Sequence, residues 1–391
     1  MAAPPLEARH QPSGFNTLFS GSRLGFAEYL AQTRYMLGKA HGGSADSERI
    51  IEGNAPFELH PSPGFLPGQS RPYRRGVLLT HGLSDSPYTM RNLAAFFQQH
   101  GFRVMAVLLP GHGTQPGDLL DVTWQEWAKT VAYGAYQLAE EADEIYLAGY
   151  STGATLSLLQ SLRDSRVRGL FLFSPALKIT RRAAFANWHK LYSWLIPVAK
   201  WVDLKPDLDI YKYESFTKNA AAQAYALTRR LDVLLKSHES DIPVFVAASA
   251  DDMTVKTTVI LDFIARAQHQ LSRLVLYTTE PESLPDGVPP DRLELVNSVF
   301  PGQKILSSAH TAIVIPPDDR HYGLEGDYSN CVHYYPEEME NYAACLNHPE
   351  QDFQGEITAK NLKAGILRRL TYNPNFAALK DSMQRFIDAL P

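Results

Sequence analysis

The sequence has little cysteine, a weak net charge and no long apolar run. Two of its 391 residues are cysteine, and the formal net charge at pH 7 is −5. Without a basic tract, the chain offers no clustered lysine and arginine for a nucleic-acid backbone. No run reaches the roughly 18 apolar residues of a membrane span. The start Met1-Ala2-Ala3-Pro4-Pro5 has neither the basic residues nor the apolar stretch of a secretory signal. These absences predict a large globular protein with a sizeable core.

The two cysteines, Cys331 and Cys345, lie in the same tyrosine-rich stretch near the end of the chain. A single pair with no other cysteine favours one disulfide over two unrelated thiols. Because disulfides persist in oxidising compartments, the pair favours an exported or cell-envelope protein over a cytoplasmic one. In that case we expect a leader that is absent from this chain.

Apolar runs of strand type alternate with helical stretches through the middle of the chain. The predicted strands are Gly76–Thr80, Arg103–Leu108, Glu144–Gly149, Arg168–Phe173, Pro243–Ala248, Arg273–Thr278 and Lys304–Ser307. The predicted helices are Tyr88–His100, Thr123–Glu141, Thr152–Asp164 and Thr257–Gln270. Near-continuous apolar strands between helices predict an α/β fold with a mostly parallel sheet that helices cover on both faces.

A serine stands between two glycines where the predicted strand Glu144–Gly149 meets the next helix. The motif is Gly149-Tyr150-Ser151-Thr152-Gly153. Such a corner is a nucleophile elbow, because the turn is too tight for side chains at its flanks and holds the serine hydroxyl above the sheet edge. We therefore predict that Ser151 is the nucleophile of a serine hydrolase.

A nucleophilic serine needs a base, and the base needs a carboxylate that orients it. Among the histidines in the last third of the chain, only His310 directly follows a predicted strand, where a loop can reach back to the serine. The strand Pro243–Ala248 is followed by two adjacent carboxylates, Asp251 and Asp252. Either one stands where it can accept the imidazole N–H. The other would cap the helix that begins near Thr257 or lie in a solvated loop.

The turn His81-Gly82-Leu83 at another strand end predicts an oxyanion hole. Gly82 lets the backbone turn sharply, so that the N–H of Leu83 can face the site together with the N–H of Thr152. Two such donors lower the barrier by about 3 kcal/mol each. His81 and His112 are predicted to pack these loops rather than to carry protons.

These motifs resemble the α/β-hydrolase superfamily, and within it the bacterial carboxylesterases and monoacylglycerol lipases grouped with the serine-aminopeptidase-like hydrolases. The resemblance spans about Gly76 to Thr311 and rests on His81-Gly82-Leu83, Pro110-Gly111-His112-Gly113, Gly149-Tyr150-Ser151-Thr152-Gly153, Asp252 and His310. It implies an α/β-hydrolase fold with a Ser-His-Asp triad. It also favours Asp252 over Asp251, because related strands place the acid at this offset from a proline, here Pro243. The long gap from Asp252 to His310 predicts decoration around the site.

The sheet does not need the stretch between its fourth and fifth predicted strands, and such hydrolases usually carry a cap there. We predict a helical cap over residues 178–235. It is inserted into a hydrolase core of residues 1–177 and 236–391, of which 315–391 form a C-terminal decoration.

Three tryptophans, Trp188, Trp194 and Trp201, lie close together in the predicted cap among other apolar residues. They predict substrate-binding side chains that line an apolar acyl pocket. The alternative is a helix that simply packs on the core.

The residue types predict hydrolysis of a small carboxylic ester, through an acyl-enzyme on Ser151, by a carboxylesterase or a monoacylglycerol-type lipase. The chemistry needs no metal and no cofactor, and no metal-ligand spacing is visible. A thioesterase is almost indistinguishable at this level. An aminopeptidase would capture the substrate amine with acids of the cap, for which the candidates are Asp203, Asp207, Asp209 and Glu214. A non-catalytic binding protein is disfavoured, because all three triad positions have candidates.

Overall fold

The computed structural model describes residues 5–16, 24–61, 71–179, 196–237 and 241–391. The chain divides into two compact units. We call Ala2–Phe171 with Ile179–His238 the N-terminal unit, and Leu172–Lys178 with Glu239–Pro391 the C-terminal unit.

The N-terminal unit is built on a mostly parallel sheet. Its strands are β1 (Phe57–Leu59), β2 (Tyr73–Thr80), β3 (Phe102–Val107), β4 (Ala142–Tyr150) and β5 (Val167–Phe173), in the order β1-β3-β2-β4-β5. Strand β2 pairs in parallel with both β3 and β4, whereas β1 is antiparallel to β3. All six residues of β3 are buried, as expected for a strand covered on both faces.

Three helices of this unit follow the predicted alternation: α3 (Arg91–Gln99), α4 (Trp124–Glu141) and α5 (Thr152–Ser161). Two helices that the sequence did not predict, α1 (Phe26–His41) and α2 (Ser47–Asn54), precede β1. Helix α4 begins with a capping box, in which Thr123 and Glu126 each satisfy the other's main-chain N–H. The predicted α/β alternation is confirmed for this unit, with helix and strand ends that differ from the predictions by a few residues.

The part of the predicted cap that the structure describes adds a strand pair and a helix. They are β6 (Trp201–Asp203), β7 (Phe216–Thr217) and α6 (Lys218–Leu235). Strands β6 and β7 pair antiparallel, and the Thr217 side chain caps α6 by accepting the N–H of Ala220. The boundaries 178–235 stay a prediction.

The C-terminal unit continues the parallel pattern. Strand β8 (Val244–Ser249), helix α7 (Thr257–Ala265), strand β9 (Arg273–Thr278) and strand β10 (Leu293–Asn297) follow in chain order, and β9 pairs in parallel with both β8 and β10. The last two residues of β5, Leu172 and Phe173, belong to this unit. Just beyond them, the N–H of Ser174 donates to the carbonyl of Ala247 at 2.8 Å.

The predicted strand Lys304–Ser307 is wrong. The sheet ends instead at β10, and only Ile305 forms isolated bridges, one with Phe300 and one with Gln354. Strand β10 was not predicted, because it lies at a sheet edge and is only half buried, so its residues do not form a continuous apolar run. The helix predicted over Thr257–Gln270 is also shorter and ends at Ala265.

The stretch 315–391, which the sequence predicts to be a C-terminal decoration, contains α8 (Met339–Asn347), β11 (Phe353–Gly355), β12 (Leu367–Arg369) and α9 (Phe376–Ala389). Strands β11 and β12 form a small parallel pair. A disulfide joins Cys331 to Cys345, and both cysteines are buried with Tyr334 and Tyr342. Among the described residues, no helix has the length and apolar character needed to cross a membrane.

Candidate active site

Ser151 occupies a strained corner of the N-terminal unit. It lies between β4 and α5 with φ 54° and ψ −116°, a backbone conformation that non-glycine residues rarely adopt. Holding a residue there costs on the order of 1–3 kcal/mol, and such strain clusters at functional sites. The residue is 8% exposed. The described geometry is therefore that of a nucleophile elbow.

Both glycines of the elbow are required by close backbone contacts. A Cβ at Gly153 would lie 2.1 Å from the carbonyl oxygen of Thr80 and 2.4 Å from that of His81. A Cβ at Gly149 would lie 2.4 Å from the backbone of Gly153. The start of α5 thus packs directly against the end of β2, which brings the elbow next to the turn that follows β2.

The two predicted oxyanion donors flank this contact. Thr152 is the first residue of α5, so its N–H is among those that a helix leaves without an internal partner. Leu83 lies in the turn after β2, where Ser84 has a positive φ of 64° and accepts the N–H of Tyr213 at 2.9 Å. Lys212 holds the same turn through a 2.6 Å ion pair with Asp85. The role of Leu83 and Thr152 as donors stays a prediction.

Two buried histidines support this turn. The Nδ1–H of His81 donates to the carbonyl of Gly82 at 2.8 Å, and its Nε2 accepts the N–H of Leu109 at 3.0 Å. Burial lowers the pKa of His81 well below its ordinary value, and it lowers the pKa of His112 to about 4. Both rings are therefore neutral near pH 7. Their contacts tie the loops after β2 and β3 together.

The C-terminal unit brings Asp252 and His310 together. His310 Nδ1 lies 2.6 Å from Asp252 Oδ2, and both side chains are almost fully buried. Burial alone would raise the pKa of Asp252, but the His310 ring and the N–H groups of Val255 and Thr254 outweigh it and lower the pKa. Asp252 is therefore held as a carboxylate that can orient the ring and stabilise its protonated form.

The neighbouring Asp251 has a different environment. Burial raises the pKa of its carboxyl; the charge of Lys360 opposes this shift, and the charges of Glu356 and Glu280 add to it. Of the two adjacent carboxylates, it is Asp252 that bonds the imidazole.

The sequence did not point to two further residues beside His310. Glu356 accepts the main-chain N–H of His310, and Arg369 pairs with Glu356. Both lie in the C-terminal decoration, far from His310 along the chain. A lone glutamate and a lone arginine in a polar stretch carry no local pattern that marks such a role.

Of the three predicted substrate-binding tryptophans, Trp188 and Trp194 lie outside the described residues. Trp201 is 5% exposed, packs with Leu120 and Leu204, and forms a T-shaped ring pair with His10. These contacts are those of a core side chain. A role for the tryptophans in substrate binding stays a prediction.

Within the described ranges, no three side chains of His, Cys, Asp or Glu are grouped so that they could hold a metal ion. The N-terminal unit therefore offers a strained serine, and the C-terminal unit offers a histidine that is paired with a carboxylate.

The comparisons with known proteins point to one family. A family model described as serine aminopeptidase, S33 (Hydrolase_4), matches residues 71–279, more than half of the chain. The chain is 28% identical over 205 residues to a thermostable monoacylglycerol lipase from Bacillus sp. strain H-257, covering 51% of this chain and 80% of the lipase. It is 31% identical over 85 residues to a carboxylesterase from Bacillus subtilis strain 168, covering 22% of this chain and 35% of the esterase.

Solved structures with lower identity are also similar. One belongs to the metagenome-derived lipolytic enzymes LipS and LipT, with 20% identity, a TM-score of 0.48, and coverage of 57% of this chain and 87% of that one. Another is a soluble variant of the monoglyceride lipase of Saccharomyces cerevisiae, with 13% identity, a TM-score of 0.44, and coverage of 57% and 82%.

Proposed function

The chain belongs to the serine aminopeptidase S33 family of hydrolases, and we propose that it is a carboxylic ester hydrolase that uses Ser151 as its nucleophile. The observation that carries the proposal is the backbone of Ser151, which has a strained φ of 54° between two glycines that leave no room for a Cβ. A fold keeps such strain where the position of a side chain matters for function.

In the proposed mechanism, His310 takes the proton of the Ser151 hydroxyl as the oxygen attacks the ester carbonyl. Asp252 holds the ring tautomer and stabilises the imidazolium. The N–H groups of Leu83 and Thr152 stabilise the oxyanion. His310 then gives its proton to the leaving alcohol, and an acyl-enzyme forms on Ser151. Water activated by His310 releases the carboxylic acid and restores the serine.

We take the substrate to be a small ester of the monoacylglycerol or simple carboxylic ester type. The similarity to a monoacylglycerol lipase over most of that enzyme's length supports this class. An apolar acyl pocket with Trp188 and Trp194 would add about 0.8 kcal/mol per buried CH₂ group. Truncating either residue to alanine should then impair long-chain esters more than acetate, whereas Trp201→Ala should mainly lower stability, because Trp201 packs in the core.

An aminopeptidase activity, as the family's description suggests, would need free acidic groups for the substrate amine. The candidates are engaged within their own loop. Asp207 accepts the main-chain N–H groups of Glu214 and Ser215, both at 2.8 Å. Asp209 accepts the N–H of Tyr211 at 3.0 Å, and Asp203 pairs with a lysine. These contacts organise a turn, and they favour esters over peptides as substrates.

The proposal can be tested with p-nitrophenyl esters from acetate to palmitate, beside an aminoacyl p-nitroanilide and an acyl thioester. We expect ester hydrolysis to dominate, and a fluorophosphonate probe to label the wild type but not Ser151→Ala. Faster hydrolysis of the anilide or the thioester would replace the ester assignment. Failure of the probe to label Ser151 would instead favour a non-catalytic binding protein.

We further propose an exported or cell-envelope location. The disulfide between Cys331 and Cys345 supports it, because such bonds are rare in reducing cytoplasm. Thiol-reactive labelling of the protein in extracts of its own cells tests this. Two labelled cysteines before reduction would argue for a cytoplasmic protein.

A further inference from the structure

The C-terminal unit buries a second carboxylate beside the His310 main chain. Glu356 has no exposed surface. Its Oε2 accepts the main-chain N–H of His310 at 3.0 Å, and its Oε1 accepts the N–H of Ile357 at 2.9 Å. A buried carboxylate destabilises the fold unless it is both paired and hydrogen-bonded. A neutral acceptor would satisfy the same N–H groups, so the charge calls for an explanation.

Arg369 supplies the balancing charge and a second connection. Its Nη2 donates to Glu356 Oε2 at 3.0 Å, and its Nε lies 2.9 Å from Oε1. The same Nη2 donates to the hydroxyl of Thr254 at 2.7 Å. Thr254 in turn donates its main-chain N–H to Asp252 Oδ1, also at 2.7 Å. One guanidinium thus joins the loop that carries Asp252 to the carboxylate that holds His310.

Main-chain contacts of the decoration hold the residues on either side of His310. Before it, the N–H of Leu306 donates to the carbonyl of Gln354 at 2.8 Å. After it, the hydroxyl of Thr311 donates to the carbonyl of Leu370 at 2.8 Å. Because no regular strand leads into His310, these contacts replace the support that a sheet strand would give.

We propose that Glu356 and Arg369 are positioning residues: Glu356 fixes the main chain of His310, and Arg369 fixes Glu356 against the loop of Asp252. The proposal rests on the proposed function, in which His310 is the base. The 2.6 Å contact between His310 and Asp252 joins residues 58 positions apart, so its length depends on how both loops are held. Displacing a catalytic group by about 1 Å costs about 100-fold in rate.

Three substitutions separate the parts of this network. Glu356→Gln keeps the volume and one acceptor oxygen but removes the charge that pairs with Arg369. Arg369→Lys keeps the charge but loses the planar group that reaches two partners. Thr254→Val removes only the exposed acceptor beside Asp252. The control is Glu294→Gln, because Glu294 is more exposed than Glu356 but also pairs with an arginine in this unit, at 2.7 Å, and no described contact joins it to either loop.

The measurements are kcat per active site titrated with a fluorophosphonate, KM, and the melting temperature. We expect kcat per titrated site to fall about 10- to 100-fold in Glu356→Gln and Arg369→Lys, and several-fold in Thr254→Val. KM should change less than about twofold, since substrate contacts are untouched. Glu294→Gln should keep the wild-type kcat. A lower melting temperature with an unchanged kcat per site would overturn the proposal, because it describes a purely structural role.

A readout without substrate separates this proposal from the proposed function. The downfield proton NMR signal of the His310–Asp252 hydrogen bond, assigned by its loss in His310→Ala, should shift or broaden in Glu356→Gln. If the wild type hydrolyses no ester but this shift occurs, the function is wrong and the positioning stands. If the wild type is active and both signal and kcat are unchanged in all variants, the positioning is wrong. Should Glu356→Gln fail to fold, Thr254→Val and Arg369→Lys decide by the same criteria.

Discussion

Replacing Gly153 by alanine tests whether the contact between the elbow and β2 is needed for catalysis. Two effects of the substitution oppose each other. Gly153 is the second residue of α5, where alanine has the better helix propensity by about 1 kcal/mol. The added Cβ, however, would lie 2.1 Å from the carbonyl oxygen of Thr80 and 2.4 Å from that of His81, whereas real contacts of a Cβ stay above 3.0 Å. Both obstacles are backbone atoms, so no rotamer change relieves them.

The start of α5 and the end of β2 must therefore separate by close to an ångström in Gly153→Ala. Overpacking of this kind typically costs about 1–3 kcal/mol of stability, more than the propensity gain. The same displacement moves the N–H of Thr152 away from the turn that carries Leu83. Because loss of one oxyanion donor costs about 100- to 1,000-fold in kcat, we expect a loss of at least about 100-fold.

The assay is kcat per titrated active site with a p-nitrophenyl ester, together with the melting temperature. Gly38→Ala is the matched control, since Gly38 lies inside α1 and a Cβ there meets no atom within 4 Å. We expect this control to keep the wild-type kcat and to gain up to about 1 kcal/mol in stability. If Gly153→Ala retained kcat within about threefold of the wild type, the close contact would have no part in catalysis.

Three further predictions concern the C-terminal unit. Asp252→Asn should lower kcat by about 10,000-fold through the wrong imidazole tautomer, and Asp251→Asn by less than threefold; reversed effects in steady-state assays would make Asp251 the acid. Burial raises the pKa of Asp352 to about 6, above about 3.9 in the unfolded chain, so the native state loses stability as the pH rises from about 4 to about 6, and the full loss remains above pH 6. Asp352→Asn should therefore raise the melting temperature at pH 7.5 but not below pH 4, and an equal gain at both would contradict this. Reducing the Cys331–Cys345 disulfide should cost about 3 kcal/mol in urea unfolding, and no change would show that the bond leaves stability unaffected.

The strained corner at Ser151 could be predicted from the sequence because its determinants are local. A strand, two glycines and a helix start within ten residues specify the corner at Ser151, and the structure gives that corner the strained backbone that the motif predicts. The position of Asp252 after a strand could also be predicted, since it lies only three residues beyond the end of β8. Short-range sequence patterns carry this information because each constraint acts between neighbours in the chain.

The surroundings of His310 could not be predicted, because its supports come from far along the chain. The bond from the His310 N–H to Glu356 spans 46 residues, and neither residue sits in an apolar or periodic pattern. The edge strand β10 was not predicted for a related reason, since a half-buried edge strand needs no continuous apolar run. Tertiary contacts, rather than local propensity, decide both cases.

The region matched by the family model ends before the C-terminal decoration and before His310. The matched residues 71–279 include Ser151 and Asp252 but end before His310. The predicted base is therefore delivered by sequence outside the matched region, and the loop that carries it has no regular strand behind it. Instead, the N–H of His310 donates to Glu356, and the N–H of Leu306 donates to the carbonyl of Gln354. We therefore expect that loosening the contact between Glu356 and the His310 main chain affects the predicted base more than the predicted nucleophile, so that kcat falls while Ser151 keeps its strained conformation.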